Sequence, residues 1–294
     1  MILNISGRTR PCGLIGYPLE HTLSPKMHNT AFQHLGLDYV YIPFNVLPQD
    51  LERAVAGLRA LGFVGFNVTH PHKENVVNYL DELDEGARLA GAVNTVVRQG
   101  DRLKGYNTDG AGFVRHLETE VGFAVKGKRV LVLGAGGAAK AVAVYLALAG
   151  AKEVIIANRT FEKARKLAEV ISEKTPAGSN AVAWNPTGEE QVWEDGEALK
   201  EAVASADLVV QTTSLGMHPR EDVCPSFPYE ALGERHLVVD IIYNPTRTLF
   251  LQEAAKRGAR VQNGMGMLLY QGAMAFELWT NRAAPLNVMR RVLP

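Results

Sequence analysis

Cysteine is nearly absent. Cys12 and Cys224 are the only two in 294 residues, and they stand 212 positions apart (224 − 12). Disulfide frameworks and thiolate zinc sites need clustered cysteines, so both are read as plain reduced thiols. No apolar run approaches the ~20 residues that cross a bilayer. The opening stretch MILNISGRTRPCGLIGYPLE has no apolar core of signal-peptide length. Charge of one sign is missing too: 31 Lys+Arg face 31 Asp+Glu, for a formal net charge of +0. Nucleic acid and anionic membrane both favour a basic excess, so neither is expected as a partner. The zinc-protease signature HExxH, short repeats and low-complexity segments are all absent. What is left is a globular composition, 47% hydrophobic and 21% charged. The length suggests two domains of roughly 150 residues. A cytoplasmic enzyme is the expectation.

The clearest landmark is KGKRVLVLGAGGAAKAVAVYLALAGAKEVIIANRT, Lys126 to Thr160. Arg129 to Leu133 reads as a strand and the alanine-rich stretch up to Gly150 as a helix. Val154 to Ala157 reads as a second strand, giving a βαβ unit. Strand patterns recur at DLVVQTT, HLVVDII and RVQNG. Helical patterns (FEKARKLAEVISEK, GEALKEAVASA, TLFLQEAAKRG) fall between them. Alternation of this kind predicts a doubly wound parallel sheet.

Upstream lies a separate α/β pattern. CGLIGYP, YVYIPFNV and GFVGFNVT read as strands. PKMHNTAFQHLGL and LPQDLERAVAGLRALG read as helices ending at glycine. The tail, GMLLYQGAMAFELWTN and APLNVMRRVL, reads as two more helices.

Gly134, Gly136 and Ala139 fit G-x-G-x-x-A between a strand and a helix, the context in which that pattern binds a dinucleotide. The first glycine permits a tight turn and the second lets backbone approach pyrophosphate. The small third residue allows close packing, and the helix N-terminus offers its positive end. A tight strand–helix turn without ligand is the bland alternative. NAD enzymes place an acid at the end of the second strand, ~20 residues on. Here Asn158 and Arg159 fill that place, 24 and 25 residues after Gly134 (158 − 134, 159 − 134), with Lys163 close behind. Arginine suits a 2′-phosphate, so the spacing predicts NADP.

A second conspicuous stretch, NVTHPHKENV (67–76), packs His70, His72, Lys73 and Glu74 together. A metal site there would need further ligands at workable geometry, and the other histidines are scattered. Pro71 disfavours helix at His70, and a short helix could begin near Lys73.

GYPLEHTLSPKMHN (16–29), NVTHPHK (67–73), AGAVNT (90–95), GYNTDG (105–110) and NGMGMLLYQGAMAFELW (263–279) accompany GAGGAAKAV and NRT. Together and in this order they resemble the shikimate dehydrogenase family from about Cys12 to the C-terminus. The resemblance implies an α/β protein of two domains. Residues 1–110 plus 265–294 would be a substrate-binding domain completed by the C-terminal helices. Residues 111–264 would be a Rossmann-type NADP domain, with the active site in the cleft between the two. It implies a small-molecule substrate, and a homodimer stays open.

By the same resemblance, Lys73 and Asp109 are the catalytic pair. Thr22 and Ser24 hold the substrate carboxylate, with Tyr243 near it. Thr69, Asn94 and Gln271 bind the ring hydroxyls. Gly134, Ala135, Gly136, Gly137 and Ala138 form the phosphate loop. Asn158, Arg159, Thr160 and Lys163 clamp the adenosine phosphate. Ile241 and Gly264 line the nicotinamide side, and Glu85 lies near the cofactor. His70 and His72 fall where the family varies and are read as incidental. Two positions depart from the pattern. Thr22 stands where serine is usual and narrows the carboxylate pocket by a methyl. Lys163 replaces a second arginine and loses its planar fork.

The implied reaction is reversible, NADPH-dependent reduction of 3-dehydroshikimate to shikimate in aromatic amino acid (chorismate) biosynthesis. A lysine ammonium suits the reductive direction, stabilising charge on the carbonyl oxygen and donating its proton. A neighbouring carboxylate favours the charged lysine, and oxidation is expected to be faster at alkaline pH. The alternatives are a quinate or dual-substrate enzyme of the same fold, and a non-catalytic NADP-binding protein. The last would be expected to lack Lys73 or Asp109.

Overall fold

Short runs of β-branched and leucine residues build two sheets in two separate units of the chain. The computed structural model describes residues 5–20, 22–186 and 196–293. One unit runs to Gly112 and resumes at Leu269; the other is Phe113–Leu268.

The first unit holds β1 (Arg10–Gly16), α1 (Ser24–His34), β2 (Tyr39–Asn45), α2 (Leu51–Ala60), β3 (Gly65–Val68), β4 (Glu82–Leu83), α3 (Glu85–Ala90), β5 (Thr95–Gln99) and β6 (Arg102–Tyr106). Its sheet runs in the order β2-β1-β3-β5-β6-β4. β1 is parallel to β2 and β3, whereas β5 is antiparallel to both β3 and β6. The sheet is therefore mixed. Its β5–β6 hairpin turns at Gly100, φ +63°, and Asp101. Two cores flank this sheet. Cys12, Leu14 and Tyr41 pack under α1 with Phe32, Phe276 and Trp279. On the other face Ile15, Phe66, Val68 and Val96 pack with Leu51, Val55 and Leu58 of α2. Each such fully buried side chain is worth about 1.5–3 kcal/mol of transfer energy.

The second unit runs β7 (Arg129–Leu133), α5 (Gly137–Leu148), β8 (Glu153–Asn158), α6 (Phe161–Lys174), β9 (Gly178–Ala183), α7 (Gly196–Ser205), β10 (Leu208–Gln211), β11 (Leu237–Asp240), α8 (Leu249–Lys256) and β12 (Arg260–Gln262). Every pair is parallel, and the order is β12-β11-β10-β7-β8-β9. Read from β9, this is the 3-2-1-4-5-6 order of a doubly wound nucleotide-binding sheet. Val130 to Leu133 and Val154 to Ala157 are nearly all fully buried, as strands covered on both faces require.

The chain passes between units inside two helices, α4 (Thr108–His116) and α9 (Met265–Thr280), before ending in α10 (Leu286–Arg290). The expected boundaries fell at motif ends, 110 and 264. The contact boundaries lie two and four residues further on (112 − 110, 268 − 264) because the helices run on. Two α9 glycines and one on α4 permit close approach. A Cβ at Gly112 would stand 2.5 Å from the Gln271 amide nitrogen. One at Gly272 would collide with the Met27 methyl, and one at Gly266 with the His116 ring. Trp279 donates its indole N–H to the Val96 carbonyl (3.0 Å), tying α9 to β5. Among the described residues no helix is long and apolar enough to cross a membrane.

Candidate active site

Lys73 follows β3 on a turn that leads into a single 3-10 stretch, Asn75–Tyr79, rather than a full α-helix. Its carbonyl accepts from Val93 N–H (2.8 Å), which anchors the turn to the sheet. Its ammonium meets the Asp109 carboxylate at 2.7 Å, with side-chain exposures of 26% and 11%. The pair is thus shielded but reachable. Asp109 sits in the first turn of α4, where the helix dipole favours a carboxylate.

A buried amide–hydroxyl network fixes that helix start. Thr108 N–H donates to Asn94 Oδ1 (2.6 Å), and Asn94 Nδ2 donates to Thr108 Oγ1 (3.0 Å). Thr108 Oγ1 and Thr95 Oγ1 are 2.9 Å apart. Asn67 Nδ2 donates to Thr95 Oγ1 (2.9 Å) and to the Asn94 carbonyl (3.0 Å), while Tyr41 Oη donates to Asn67 Oδ1 (2.7 Å). Of this set the sequence assigns a substrate role to Asn94 alone. Thr108 carried a usable signal, being a hydroxyl residue at a helix start. Asn67, Thr95 and Tyr41 carried none, since their partners are distant in sequence.

The remaining expected substrate residues in this unit group near the same strand ends. Thr69 N–H donates to the Ile15 carbonyl (2.9 Å), and a Cβ at Gly16 would collide with the Thr69 methyl, so only glycine fits there. Ser24 opens α1 without capping it through its side chain. Instead Thr22 Oγ1 accepts from Ser24 N–H (3.4 Å), and the Ser24 hydroxyl stands beside the Tyr41 phenol. Burial holds that phenol well above its ordinary pKa, so it stays a donor. Gln271 lies on α9 against Gly112 of α4. Glu85 is exposed at the start of α3, behind the Asp84 cap. His70 is exposed, whereas His72 is fully buried with Nε2 2.7 Å from the Val46 carbonyl. His72 thus has a structural task that its place in the motif does not announce: it pins the Lys73 turn to the chain after β2. Among the described residues no cluster of three His, Cys, Asp or Glu could hold a metal.

In the other unit the expected cofactor residues gather at the C-terminal ends of the strands. Gly134 has φ +116°, and a Cβ there would stand 2.6 Å from Thr212 Oγ1. Gly136 caps α5, and a Cβ at Gly136 or Gly137 would meet nothing within 4 Å. The helix therefore opens onto free space over bare backbone, which fits a pyrophosphate. Ala135 is buried and Ala138 half-buried in the same turn. Asn158 ends β8 and donates to the Thr160 carbonyl (2.9 Å). Arg159 and Lys163 are exposed and enter no ion pair among the described residues, whereas Arg165 is taken by Glu162 and Glu169. Two free cations and no acid at this strand end fit a 2′-phosphate. Gly264 lies so close to Ile241 that a Cβ would collide with the Ile241 carbonyl. Tyr243 follows two residues later, half-buried, its phenol pushed up by burial.

The fold and these residues define a two-unit α/β oxidoreductase with a dinucleotide turn in one unit and a lysine–aspartate pair in the other. Family models match along most of the chain: the shikimate dehydrogenase substrate binding domain over residues 14–96, shikimate / quinate 5-dehydrogenase over 116–183 and the shikimate 5'-dehydrogenase C-terminal domain over 264–293. The shikimate dehydrogenase (NADP(+)) of Desulforamulus reducens is 50% identical over 98% of this chain and 96% of its own length. Shikimate 5-dehydrogenase of Listeria monocytogenes, solved with shikimate and NAD, superposes with a TM-score of 0.91 at 40% identity, covering 100% of this chain and 99% of that one. Quinate dehydrogenase of Corynebacterium glutamicum, solved with NAD, gives 0.84 at 32% identity, covering 97% and 98%. The chain belongs to the shikimate dehydrogenase family.

Proposed function

We propose that the protein is an NADP-dependent shikimate dehydrogenase of the cytoplasm, interconverting 3-dehydroshikimate and shikimate. The observation that carries this is the shielded Lys73–Asp109 pair at 2.7 Å, in a chain related end to end to enzymes of that name. Residues 1–110 with 265–294 serve the substrate and residues 111–264 the cofactor.

When bound, the dinucleotide supplies hydride to the ketone carbon or takes it from the alcohol carbon. The chain's own residues manage the proton and the orientation. The Lys73 ammonium donates to the oxygen that gains negative charge during reduction and recovers that proton during oxidation. Asp109 holds the ammonium in place. Thr22, Ser24 and Tyr243 serve the carboxylate of the substrate; Thr69, Asn94 and Gln271 serve its hydroxyls. Asn94 has one amide hydrogen committed to Thr108, so it offers the substrate what remains. Gly134 to Ala138 cradle the pyrophosphate. Asn158, Arg159, Thr160 and Lys163 take the adenosine phosphate, with Glu85, Ile241 and Gly264 completing the cofactor contacts.

The test is NADP-dependent absorbance change with shikimate, wild type against Lys73→Ala. Turnover in the wild type and a large loss in the variant are expected. No turnover with shikimate or quinate sinks the reading, and full turnover in the variant sinks the role of Lys73. Quinate is the second reading. It rests on Thr22 in place of serine and on the likeness to a quinate dehydrogenase. Side-by-side assays with both acids separate the two.

A further inference from the structure

Asp240 ends β11 and is fully buried, yet its hydrogen-bonding partners carry no charge. Oδ1 accepts from Ile242 N–H (3.0 Å), at the start of the 241–248 loop. Oδ2 accepts from the Thr248 hydroxyl (2.7 Å), at its end. Thr248, 1% exposed, in turn accepts from Leu251 N–H (3.4 Å) and so caps α8. One carboxylate therefore closes the loop at both ends. Its strand neighbour Gln211 has a parallel task with an uncharged amide, donating to the carbonyls of Thr213 and Leu215. An amide thus suffices to organise a loop at this sheet edge. A buried carboxylate without a cation costs stability that an amide would not.

The loop between the two bonds carries Ile241, whose carbonyl lies against Gly264, and Tyr243. We propose that Asp240 is a positioning residue for the reaction: its carboxylate clamps the 241–248 loop and so sets where Ile241 and Tyr243 stand. The charge matters because a carboxylate only accepts. It forces the Thr248 hydroxyl to point at Asp240, leaving the Thr248 lone pairs to the α8 cap. An amide or a protonated acid lets that hydroxyl reverse. The inference rests on the reading that this loop serves the cofactor and the substrate.

Burial raises the Asp240 carboxyl to about 6. The titratable groups facing this neighbourhood are Cys224 and Tyr229, both raised mainly by burial, with Glu253 and Lys256 of α8 beside them. The carboxylate form, and with it the clamp, is lost as pH falls through about 6.

Asp240→Asn tests the clamp with two independent readouts. Affinity for NADPH, measured by fluorescence titration, should fall roughly tenfold at pH 7.5, the scale of one charge-assisted hydrogen bond. The ratio of wild-type to variant affinity should close toward one as pH falls through about 6, the 2′-phosphate's own proton uptake near that pH being common to both proteins and cancelling in the ratio. Trypsin cleavage after Arg247, exposed within the loop, should accelerate in the variant without cofactor. Thr248→Val, which removes the same hydrogen bond from its other side, should accelerate cleavage likewise. Unchanged affinity overturns the proposal even if cleavage speeds up, because the clamp would then be structural alone. Unchanged cleavage overturns it even if affinity falls, because the effect would not pass through the loop. Neither readout needs turnover, so a failure of the shikimate reading is seen separately, as an inactive wild type.

Discussion

The Lys73 ammonium and the Asp109 carboxylate meet at 2.7 Å across 36 positions of sequence (109 − 73), one on a turn after β3 and the other at the head of α4. Groups that act as a unit should fail as a unit. Lys73→Ala and Asp109→Asn are each expected to lower kcat/KM by about 10²–10⁴, the range for a positioned proton-transfer group. The double variant should be little worse than the poorer single one. Kinetics on the four proteins check this; simple multiplication of the two losses would show the residues acting separately.

Arg159 and Lys163 should decide between the two dinucleotides. Arg159→Ala removes an exposed guanidinium from the strand end. It is expected to weaken NADP by roughly 10–100-fold, the worth of one bidentate charged contact, and to leave NAD unchanged. Steady-state KM for the two cofactors is the measurement. An equal effect on both would mean that Arg159 does not contact the 2′-phosphate.

The glycines of the β7–α5 turn should separate by cause. Gly134→Ala meets φ +116° and a 2.6 Å approach to Thr212, so it should lower Tm. Gly136→Ala meets open space at φ −83°, so Tm should hold while NADP binding weakens, the added methyl filling the place of phosphate. Thermal melts with and without NADP discriminate the two.

His28 should make the fold sensitive to acid. It is fully buried, stacked 4.5 Å from Tyr41, and neither ring nitrogen has a hydrogen-bond partner among the described residues. Burial pushes its pKa down to about 3. The unfolded chain, with an ordinary histidine near 6.5, binds the proton more readily. Stability is therefore full above about 6.5 and is lost as pH falls toward 3, at up to about 1.4 kcal/mol per pH unit. Asp240 acts with the opposite sign. Its raised carboxyl makes the folded state the better proton binder between 3.8 and about 6, so its charge costs stability as pH rises through that window. Urea unfolding of wild type, His28→Phe and Asp240→Asn from pH 4 to 7 should show the two variants diverging from wild type in opposite directions.

The parallel sheet was largely readable because its strands are unbroken apolar runs between helices of period 3.6. Arg129–Leu133 and Phe161–Lys174 agree with the sequence reading to the residue. β5 and β6 were passed over, although Gly100-Asp101 between two runs is a hairpin signal. Both strands are short and half polar, so neither shows a long apolar run. β9, Gly-Ser-Asn-Ala-Val-Ala, is an edge strand of small residues with little periodicity to find. The pairing of Lys73 with Asp109 came from resemblance, since no spacing rule joins residues so far apart. The Asn67–Thr95–Thr108–Asn94 network was invisible for the same reason: residue type names a donor, and only the fold names its partner.

Trp279 and Phe276 carry a consequence for how the protein is made. They complete a core whose other half, Cys12 to Tyr41, is synthesised well before them. The intervening residues, Phe113–Leu268, form a continuous unit that needs nothing from either flank to close its own sheet. The order of synthesis and the order of completion are therefore reversed. The earlier segment waits, with this face of its sheet incompletely covered, until α9 is released, and in that interval the nascent chain most needs protection from aggregation.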